Sequence, residues 1–239
     1  MTERTEWVEL AVDDGSRMRA YVVRPEGEGP HPGMLLFQEA LGVAAQLRDV
    51  AARLAAEGFV VIAPELFHRT APGFELDTLD MAVLMPLIRS VTAHGMLADA
   101  RAAHGWLATR PEVDAARLAA LGFCMGGRAT WLANSALPLA AAVSFYAGGV
   151  APALLDRAAT LGGPHLFFWG GRDAGIPPEQ RRAVVDAVRA ARKPFVDVEF
   201  SEAVHAFFNE RTDRYHAPSA AQAWAMTRAF LADALARAR

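Results

Sequence analysis

The chain has 239 residues, 27 acidic and 24 basic, with a formal net charge of −3 and a single cysteine. The length suits one α/β domain, expected to span residues 1–239, and the scattered basic residues argue against a nucleic-acid surface. One cysteine excludes an intrachain disulfide and suits a reducing compartment, so we expect a cytoplasmic protein.

The beginning of the chain is charged and lacks the apolar stretch of a signal peptide. Its charged residues include Glu3, Arg4, Glu6 and Glu9. No segment reaches the roughly 18 consecutive apolar residues of a membrane helix, so no membrane association is expected. Residues 7–12 and 18–23 are predicted strands, and the Asp-Gly turn between them is typical of a hairpin.

From residue 33 onward, predicted strands and helices alternate. The strands are continuous apolar runs, as in sheets buried on both faces, and cover residues 33–37, 59–63, 118–123, 140–146, 165–169 and 195–200. Apolar residues at helical spacing predict the helices, which lie around residues 47–54, 97–107, 128–136, 178–191 and 218–238. This alternation predicts a mostly parallel sheet with helices on both faces and the first hairpin as an antiparallel edge.

The cysteine stands at the centre of a G-x-C-x-G turn, Gly122 to Gly126, between a predicted strand and a predicted helix. A sharp turn of this kind lifts the side chain of Cys124 above the sheet, and only small residues fit two places before and after it. The N–H of Met125 would then face the same space as an oxyanion donor. The pattern favours a nucleophile; a buried structural cysteine is the alternative.

A nucleophilic cysteine needs a base, and the base needs an acid that orients it. Asp173 follows the apolar strand 165–169 and a glycine turn, where the acid is expected; pairing with Arg172 on the surface is the alternative. His205 lies between the last strand and the last helix, where the base is expected, and His216 lies nearer that helix. No histidine pair has metal-ligand spacing, so neither a metal nor another cofactor is expected.

These motifs resemble the dienelactone hydrolase (carboxymethylenebutenolidase) family, which has the α/β-hydrolase fold and a cysteine nucleophile. The resemblance covers nearly the whole chain, through segments at 37–43, 63–67, 71–73, 122–127, 170–173 and 205–207. It implies a hydrolase of small carboxylic esters or lactones that acts through an acyl-thioester. Cys124, Asp173 and His205 would form its catalytic triad.

The resemblance also gives roles to Glu39 and Ala40. In the family, the glutamate contacts the resting thiol and is displaced when substrate binds, and the next N–H is the second oxyanion donor. The alternative for Glu39 is a carboxylate that bridges to a nearby arginine, since a buried carboxylate needs a partner.

Substrate contacts are where the chain departs from the family. Two arginines that bind a substrate carboxylate are unmatched: Leu84 stands at one position, and the chain reads Phe207-Phe208-Asn209 at the other. Arg69 and Arg89 are candidate substitutes. The apolar stretch 79–88 is interpreted either as a buried helix or as a lid, and Phe207, Phe208 and Trp169 could line an apolar pocket. We therefore expect a less acidic ester or lactone.

Other functions stay open at this point. One is a thiol redox sensor based on Cys124, which would not need an Asp and a His in triad order. Another is a noncatalytic binding protein of the same fold, which would typically lack a triad residue. A cysteine peptidase or thioesterase uses the same nucleophile. Because the amphipathic last helix suits packing on the sheet, we expect a monomer or a weak homodimer.

Overall fold

A central sheet of eight strands organises residues 4–238, the part of the chain that the computed structural model describes. In chain order the strands are β1 Arg4–Ala11, β2 Arg17–Arg24, β3 His31–Phe37, β4 Val60–Pro64, β5 Val113–Phe123, β6 Ala141–Phe145, β7 His165–Gly170 and β8 Phe195–Phe200. The α-helices are α1 Ala45–Ala56, α2 Met81–Ser90, α3 Ala93–Ala108, α4 Met125–Ala136, α5 Pro178–Ala190 and α6 Ala217–Arg237, and a 3₁₀ helix covers Leu155–Thr160. Glu3 and the two ends of the expected domain lie outside the described residues.

The order of the strands across the sheet is β1-β2-β4-β3-β5-β6-β7-β8. β1 pairs with β2 and β2 with β4 in antiparallel fashion, and the remaining neighbours are parallel. β4, β6 and β7 are buried along their whole length, as their continuous apolar sequences require, whereas the edge strands β1 and β8 are largely exposed. The predicted mostly parallel sheet with an antiparallel N-terminal hairpin is confirmed.

The register of the parallel strands brings four loops to one edge of the sheet. Phe37 at the end of β3 pairs with Gly122, Phe123 at the end of β5 pairs with Phe145, and Gly170 at the end of β7 pairs with Phe200. Ligands of such sheets bind beyond the carboxyl ends of the strands. The residues that follow β3, β5, β7 and β8 therefore meet at this edge.

The apolar stretch 79–88 forms most of α2, and it is not a buried helix. Its N-cap is Asp80, whose side chain accepts from the N–H of Ala82 and of Val83. Met81 is 48% exposed and Val83 44% exposed, whereas Leu84 is buried against Ala40 and Leu41. The interpretation of this stretch as a buried helix is wrong, because α2 packs on the rest of the protein through one side and exposes the other.

Within the described residues, no single helix is long and apolar enough to cross a membrane. α2 and α3 pass the same test of length and composition only when taken together, and they are bent by 79° at the break between them.

Candidate active site

The turn between β5 and α4 has an unusual backbone at Cys124, with φ of +54° and ψ of −117°. A Cβ at Gly122 would clash with the carbonyl of Gly126, and a Cβ at Gly126 would clash with the carbonyls of Phe37 and Gln38. Both positions therefore require glycine because the neighbouring backbone leaves no room for a Cβ, and not because the turn needs to be flexible. The same approach sets the turn directly against the end of β3.

Cys124 is partly buried, and its interaction with His205 contributes to raising the pKa of that histidine. His205 Nδ1 lies 2.7 Å from Asp173 Oδ2. The other carboxylate oxygen of Asp173 accepts from the N–H groups of Gly175, at 2.8 Å, and Ile176, at 3.2 Å. Asp173 is thus held in one orientation and in turn orients His205, the residue on which Cys124 acts.

The alternative partner for Asp173 is not observed. Arg172 forms its ion pair with Glu202, on the surface. The interpretation of Asp173 as the surface partner of Arg172 is therefore wrong, because the glycine turn directs the two side chains to different neighbours.

The charge on His205 is set by opposing effects. Burial disfavours the imidazolium, but hydrogen bonds to Asp173 and Cys124, together with their negative charges, outweigh it and raise the pKa of His205 to about 10. His205 is consequently protonated at neutral pH. Asp173 orients this imidazolium, which presents its positive charge to Cys124.

Glu39 follows β3 and is buried, and its carboxylate accepts a hydrogen bond from the Asn209 side-chain amide. Burial raises the pKa of Glu39, while the Asn209 hydrogen bond and the positive charges of His205 and Arg214 act in the opposite direction. Within residues 4–238, Glu39 forms neither the ion pair with arginine that was the alternative reading nor a hydrogen bond to Cys124.

Asn209 was not predicted as a site residue. It stands four positions after His205, in the segment where the family's second arginine is unmatched. That mismatch was the signal that could have identified it. Asn209 is fully buried, and its side-chain oxygen accepts from the N–H of Arg211 at 3.0 Å, which leaves the amide nitrogen to hold Glu39.

The two expected oxyanion donors come from the start of α4 and from the loop after β3. Met125 is the first residue of α4, so its N–H has no acceptor within the helix. Ala40 is on the loop after β3, against which Gly126 packs. The side chain of Gln38 braces this loop by donating to the carbonyl of Glu39 at 3.3 Å and accepting from the N–H of Leu66 at 3.1 Å. The donor roles of Met125 and Ala40 stay predictions.

Tyr146, directly after β6, is a second residue of the site that sequence reasoning missed. It is fully buried with φ of +38°, and its ring centroid lies 5.0 Å from that of His205. Burial raises the pKa of Tyr146 well above its usual range, and the negative charges of Glu39, Cys124 and Asp173 add to the effect. The phenol therefore stays neutral beside this group of acids.

The four residues predicted to contact the substrate lie in different surroundings. Arg69 lies 2.7 Å from Asp14 and 2.8 Å from Asp99, so its guanidinium already has two carboxylate partners. Arg89 is exposed in the last turn of α2. Phe207 and Phe208 are buried in the aromatic core, where Phe208 stacks on Phe123 at 5.3 Å. The structure therefore gives no support to these three residues as substrate contacts. The guanidinium of Arg69 is already paired with carboxylates, and the rings of Phe207 and Phe208 are packed inside the core.

A buried network of hydrogen bonds connects β6 and β7 to α4. His165 Nε2 lies 2.9 Å from the hydroxyl of Ser144, and that hydroxyl donates to the carbonyl of Gly127 at 3.0 Å. The amide of Asn134 lies 3.2 Å from His165 Nδ1. Burial lowers the pKa of His165 to about 3, so the imidazole is neutral and links β7 to the first turn of α4.

Comparison with known proteins decides the family. Residues 18–235 match the dienelactone hydrolase family model. The chain belongs to the dienelactone hydrolase family. A relative from Escherichia coli (strain K12), named as a carboxymethylenebutenolidase, is 37% identical over 220 residues, which cover 88% of this chain and 80% of the relative.

Solved structures agree with the family assignment. A dienelactone hydrolase structure from Klebsiella pneumoniae subsp. pneumoniae MGH 78578 superposes with a TM-score of 0.88 at 35% identity and covers 97% of this chain and 99% of its own. A dienelactone hydrolase-like promiscuous phosphotriesterase from metagenomic libraries has a TM-score of 0.86 at 25% identity, covering 98% and 99%. The resemblance stated from the motifs is confirmed, and this dienelactone hydrolase family member is a hydrolase with the α/β-hydrolase fold.

Proposed function

We propose that this chain hydrolyses small carboxylic esters or lactones through Cys124, with His205 and Asp173 as the other members of the triad. The observation that carries the proposal is the contact between His205 and Asp173 at 2.7 Å, together with the effect of Cys124 and Asp173 on His205, whose pKa is raised to about 10. A thiolate beside an imidazolium is both a ready nucleophile and a ready proton donor. Relatives named as carboxymethylenebutenolidases support the substrate class.

In the first half of the reaction, the Cys124 thiolate attacks the ester carbonyl carbon and the carbonyl oxygen becomes an oxyanion. The N–H groups of Met125 and Ala40 stabilise that charge. The tetrahedral intermediate then collapses, the carbon–alkoxide bond breaks, and His205 gives its proton to the leaving alkoxide. An acyl-thioester and a neutral His205 result.

In the second half, His205 accepts a proton from water as the water oxygen attacks the thioester carbonyl. The second tetrahedral intermediate expels the thiolate, the carboxylic acid product leaves, and the thiolate–imidazolium pair is restored. Asp173 keeps the imidazole in the orientation that both steps require.

Glu39 has a distinct part in this proposal. Because Asn209 holds its carboxylate, Glu39 does not compete with His205 for the resting sulfur. A carboxyl whose pKa is raised by burial adds less negative charge beside the thiolate than an ionised one would. We infer that Asn209 positions Glu39 so that the nucleophile is already a thiolate before substrate arrives.

Two further points belong to the proposal. The helix α2, which packs on Ala40 and Leu41, would act as a lid that presents apolar side chains to the ester. A free thiolate nucleophile also suits the reducing cytoplasm, where we place the protein as a monomer or weak homodimer.

The test is hydrolysis of p-nitrophenyl butyrate by the wild type and by Cys124→Ala, with far-ultraviolet circular dichroism to show that both are folded. Turnover in the wild type and none in the variant is the expected result. Hydrolysis that survives in Cys124→Ala would overturn the mechanism. If neither protein turns over esters or lactones but peroxide oxidises Cys124, the redox-sensor function would replace it.

A further inference from the structure

The expected oxyanion donor Ala40 lies on a loop that has few hydrogen bonds of its own. This oxyanion loop, residues 38–44, connects β3 to α1. Ala40 is 8% exposed, and within residues 4–238 its N–H donates to no other protein group. The bond across the turn, from the N–H of Gly42 to the carbonyl of Glu39, is long at 3.3 Å. The direction of the Ala40 N–H therefore depends on the groups that hold this loop from outside.

A second loop is joined to the oxyanion loop beside Ala40. This clamp loop, residues 71–79, lies in the connection between β4 and α2. The N–H of Leu76 donates to the carbonyl of Leu41 at 3.1 Å, and Gly42 forms an isolated antiparallel bridge with Glu75. A Cβ on Gly42 would clash with a carbonyl oxygen of the clamp loop. The two backbones are therefore in direct contact at this junction.

Arg48, on the first turn of α1, closes the junction. Its Nη1 donates to the carbonyl of Val43 at 2.7 Å and to Glu75 Oε1 at 2.7 Å. One guanidinium thus holds the end of the oxyanion loop and the clamp loop against the same helix. The side chains of Arg48 and Glu75 are 31% and 37% exposed, so their ion pair adds little to the free energy of unfolding. Its consequence is geometric, because it fixes two loops relative to each other.

The clamp loop also leads into α2, whose Leu84 packs against Ala40 and Leu41. Backbone bonds and apolar packing therefore act together on the residues around the donor. A displaced clamp loop would carry Ala40 with it, because Leu41 and Gly42 are bonded to that loop. Removing an oxyanion donor outright lowers kcat about 10²–10³-fold, so the direction of such an N–H matters directly to the reaction.

We propose that Arg48 and Glu75 are positioning residues that keep the Ala40 N–H directed at the developing oxyanion. The inference rests on the proposed function, in which that N–H stabilises the tetrahedral intermediates. In this arrangement neither side chain touches the substrate, and both act through the backbone of the oxyanion loop. Their effect should appear in reactions that form an oxyanion and be absent from reactions of the sulfur that form none.

Two reagents separate these cases without hydrolysis, because the chain has one cysteine. With iodoacetamide, a bond forms between the sulfur of Cys124 and a saturated carbon, iodide leaves with its electron pair, and no oxyanion forms. With pentyl trifluoromethyl ketone, the sulfur adds to the carbonyl carbon and the π electrons of the C=O bond move to the oxygen. That product is a tetrahedral oxyanion with no leaving group. The measured quantities are the alkylation rate constant and the inhibition constant of the ketone, determined as protection against alkylation.

The variants are Arg48→Met, Arg48→Lys, Glu75→Gln and the double variant of Arg48→Met with Glu75→Gln. Arg228→Met is the matched control, since Arg228 forms a 2.7 Å ion pair with Glu57 at the other end of α1. Circular dichroism shows that each protein is folded.

We expect Arg48→Met to raise the inhibition constant of the ketone about tenfold, less than the loss of a whole donor. Arg48→Lys, which keeps the charge, and Glu75→Gln, which keeps the backbone bridge, should raise it less. The double variant should match Arg48→Met, because the two side chains form one contact. Arg228→Met should match the wild type, and the iodoacetamide rate constant should stay at the wild-type value in every protein.

Three results would overturn the inference. One is an unchanged inhibition constant in Arg48→Met. Another is an equal loss of ketone binding and alkylation rate, since the substitution would then disturb the sulfur itself. The third is a wild type that does not bind the ketone, because there would be no oxyanion donor to position.

Hydrolysis of p-nitrophenyl butyrate separates this inference from the proposed function. In Arg48→Met, kcat should fall in parallel with ketone binding while KM stays at the wild-type value. If the wild type hydrolyses no ester while the inhibition constant still rises in Arg48→Met, the positioning role stands and the proposed esterase function fails. If the wild type and Arg48→Met have equal kcat and bind the ketone equally, the positioning role is refuted and the esterase function stands.

Discussion

Replacing His165 by Gln isolates the contribution of one buried imidazole to the pH dependence of stability. His165 is wholly buried, and its hydrogen bond to Ser144 connects it to the first turn of α4. Burial lowers its pKa to about 3, whereas an unfolded histidine titrates near pH ~6.5. The folded protein therefore binds fewer protons at this site than the unfolded chain does below pH ~6.5.

The sign and size of the effect follow from these two pKa values. Because the folded pKa of His165 is depressed, its stabilising effect is present above the unfolded pKa and is lost as the pH falls toward the folded one. At pH 5 the native imidazole is still neutral, while the unfolded one is almost fully protonated. The free energy of unfolding should therefore be about 2 kcal/mol lower at pH 5 than at pH 8 from this group alone.

Urea unfolding at pH 8 and at pH 5, for the wild type and His165→Gln, measures this contribution. All other titrating groups, His205 included, are common to both proteins, so the difference between the two pH dependences belongs to His165. The variant should lose about 2 kcal/mol less than the wild type on going to pH 5. His94→Gln, at an exposed histidine of α3, should follow the wild type. Identical pH dependence in the wild type and His165→Gln would refute the reasoning.

Three further substitutions test the site. Asp173→Asn removes the carboxylate that orients His205, and ester hydrolysis should fall about 10³–10⁴-fold in kcat with the fold intact; a loss below tenfold would exclude Asp173 from the triad. Gly126→Ala places a Cβ against the carbonyls of Phe37 and Gln38 and should lower the free energy of unfolding by about 1–3 kcal/mol, measured by thermal unfolding, whereas Gly105→Ala, where a Cβ meets nothing within 4 Å, should be neutral or stabilising. Glu39→Gln removes a titrating carboxyl beside the sulfur, so the pH profile of iodoacetamide alkylation should change; an unaltered profile would remove Glu39 from the mechanism.

Much of the fold could be predicted because its strands are buried on both faces. β4, β6 and β7 read as unbroken apolar runs, and their alternation with helices determines a mostly parallel sheet. The same reasoning failed for α2, where an apolar sequence suggested burial but left Met81 and Val83 exposed. Hydrophobicity indicates that a segment is stabilised by burial, but it does not show whether the fold provides a surface on which the segment can pack.

The triad was accessible to sequence reasoning because each member follows a strand directly. Cys124, Asp173 and His205 lie one, three and five residues beyond the ends of β5, β7 and β8, so the sheet itself brings them together. Asn209 depends instead on the path of a loop. Tyr146 also follows a strand directly, but it falls within the predicted apolar strand 140–146, where nothing distinguishes it from a core residue. Asn209 meets Glu39 across 170 positions of the chain, and no local pattern encodes such a contact.

The arginines show why a residue type near a strand end is a weak basis for a binding site. Arg69 follows β4 closely enough to be a candidate, yet Asp14 and Asp99 neutralise it from two other parts of the chain. An arginine is free to bind a ligand only when no counter-ion of its own chain already neutralises it, and that depends on the whole fold. The local sequence around Arg69 does not contain Asp14 or Asp99, so only the three-dimensional arrangement shows that this guanidinium is occupied.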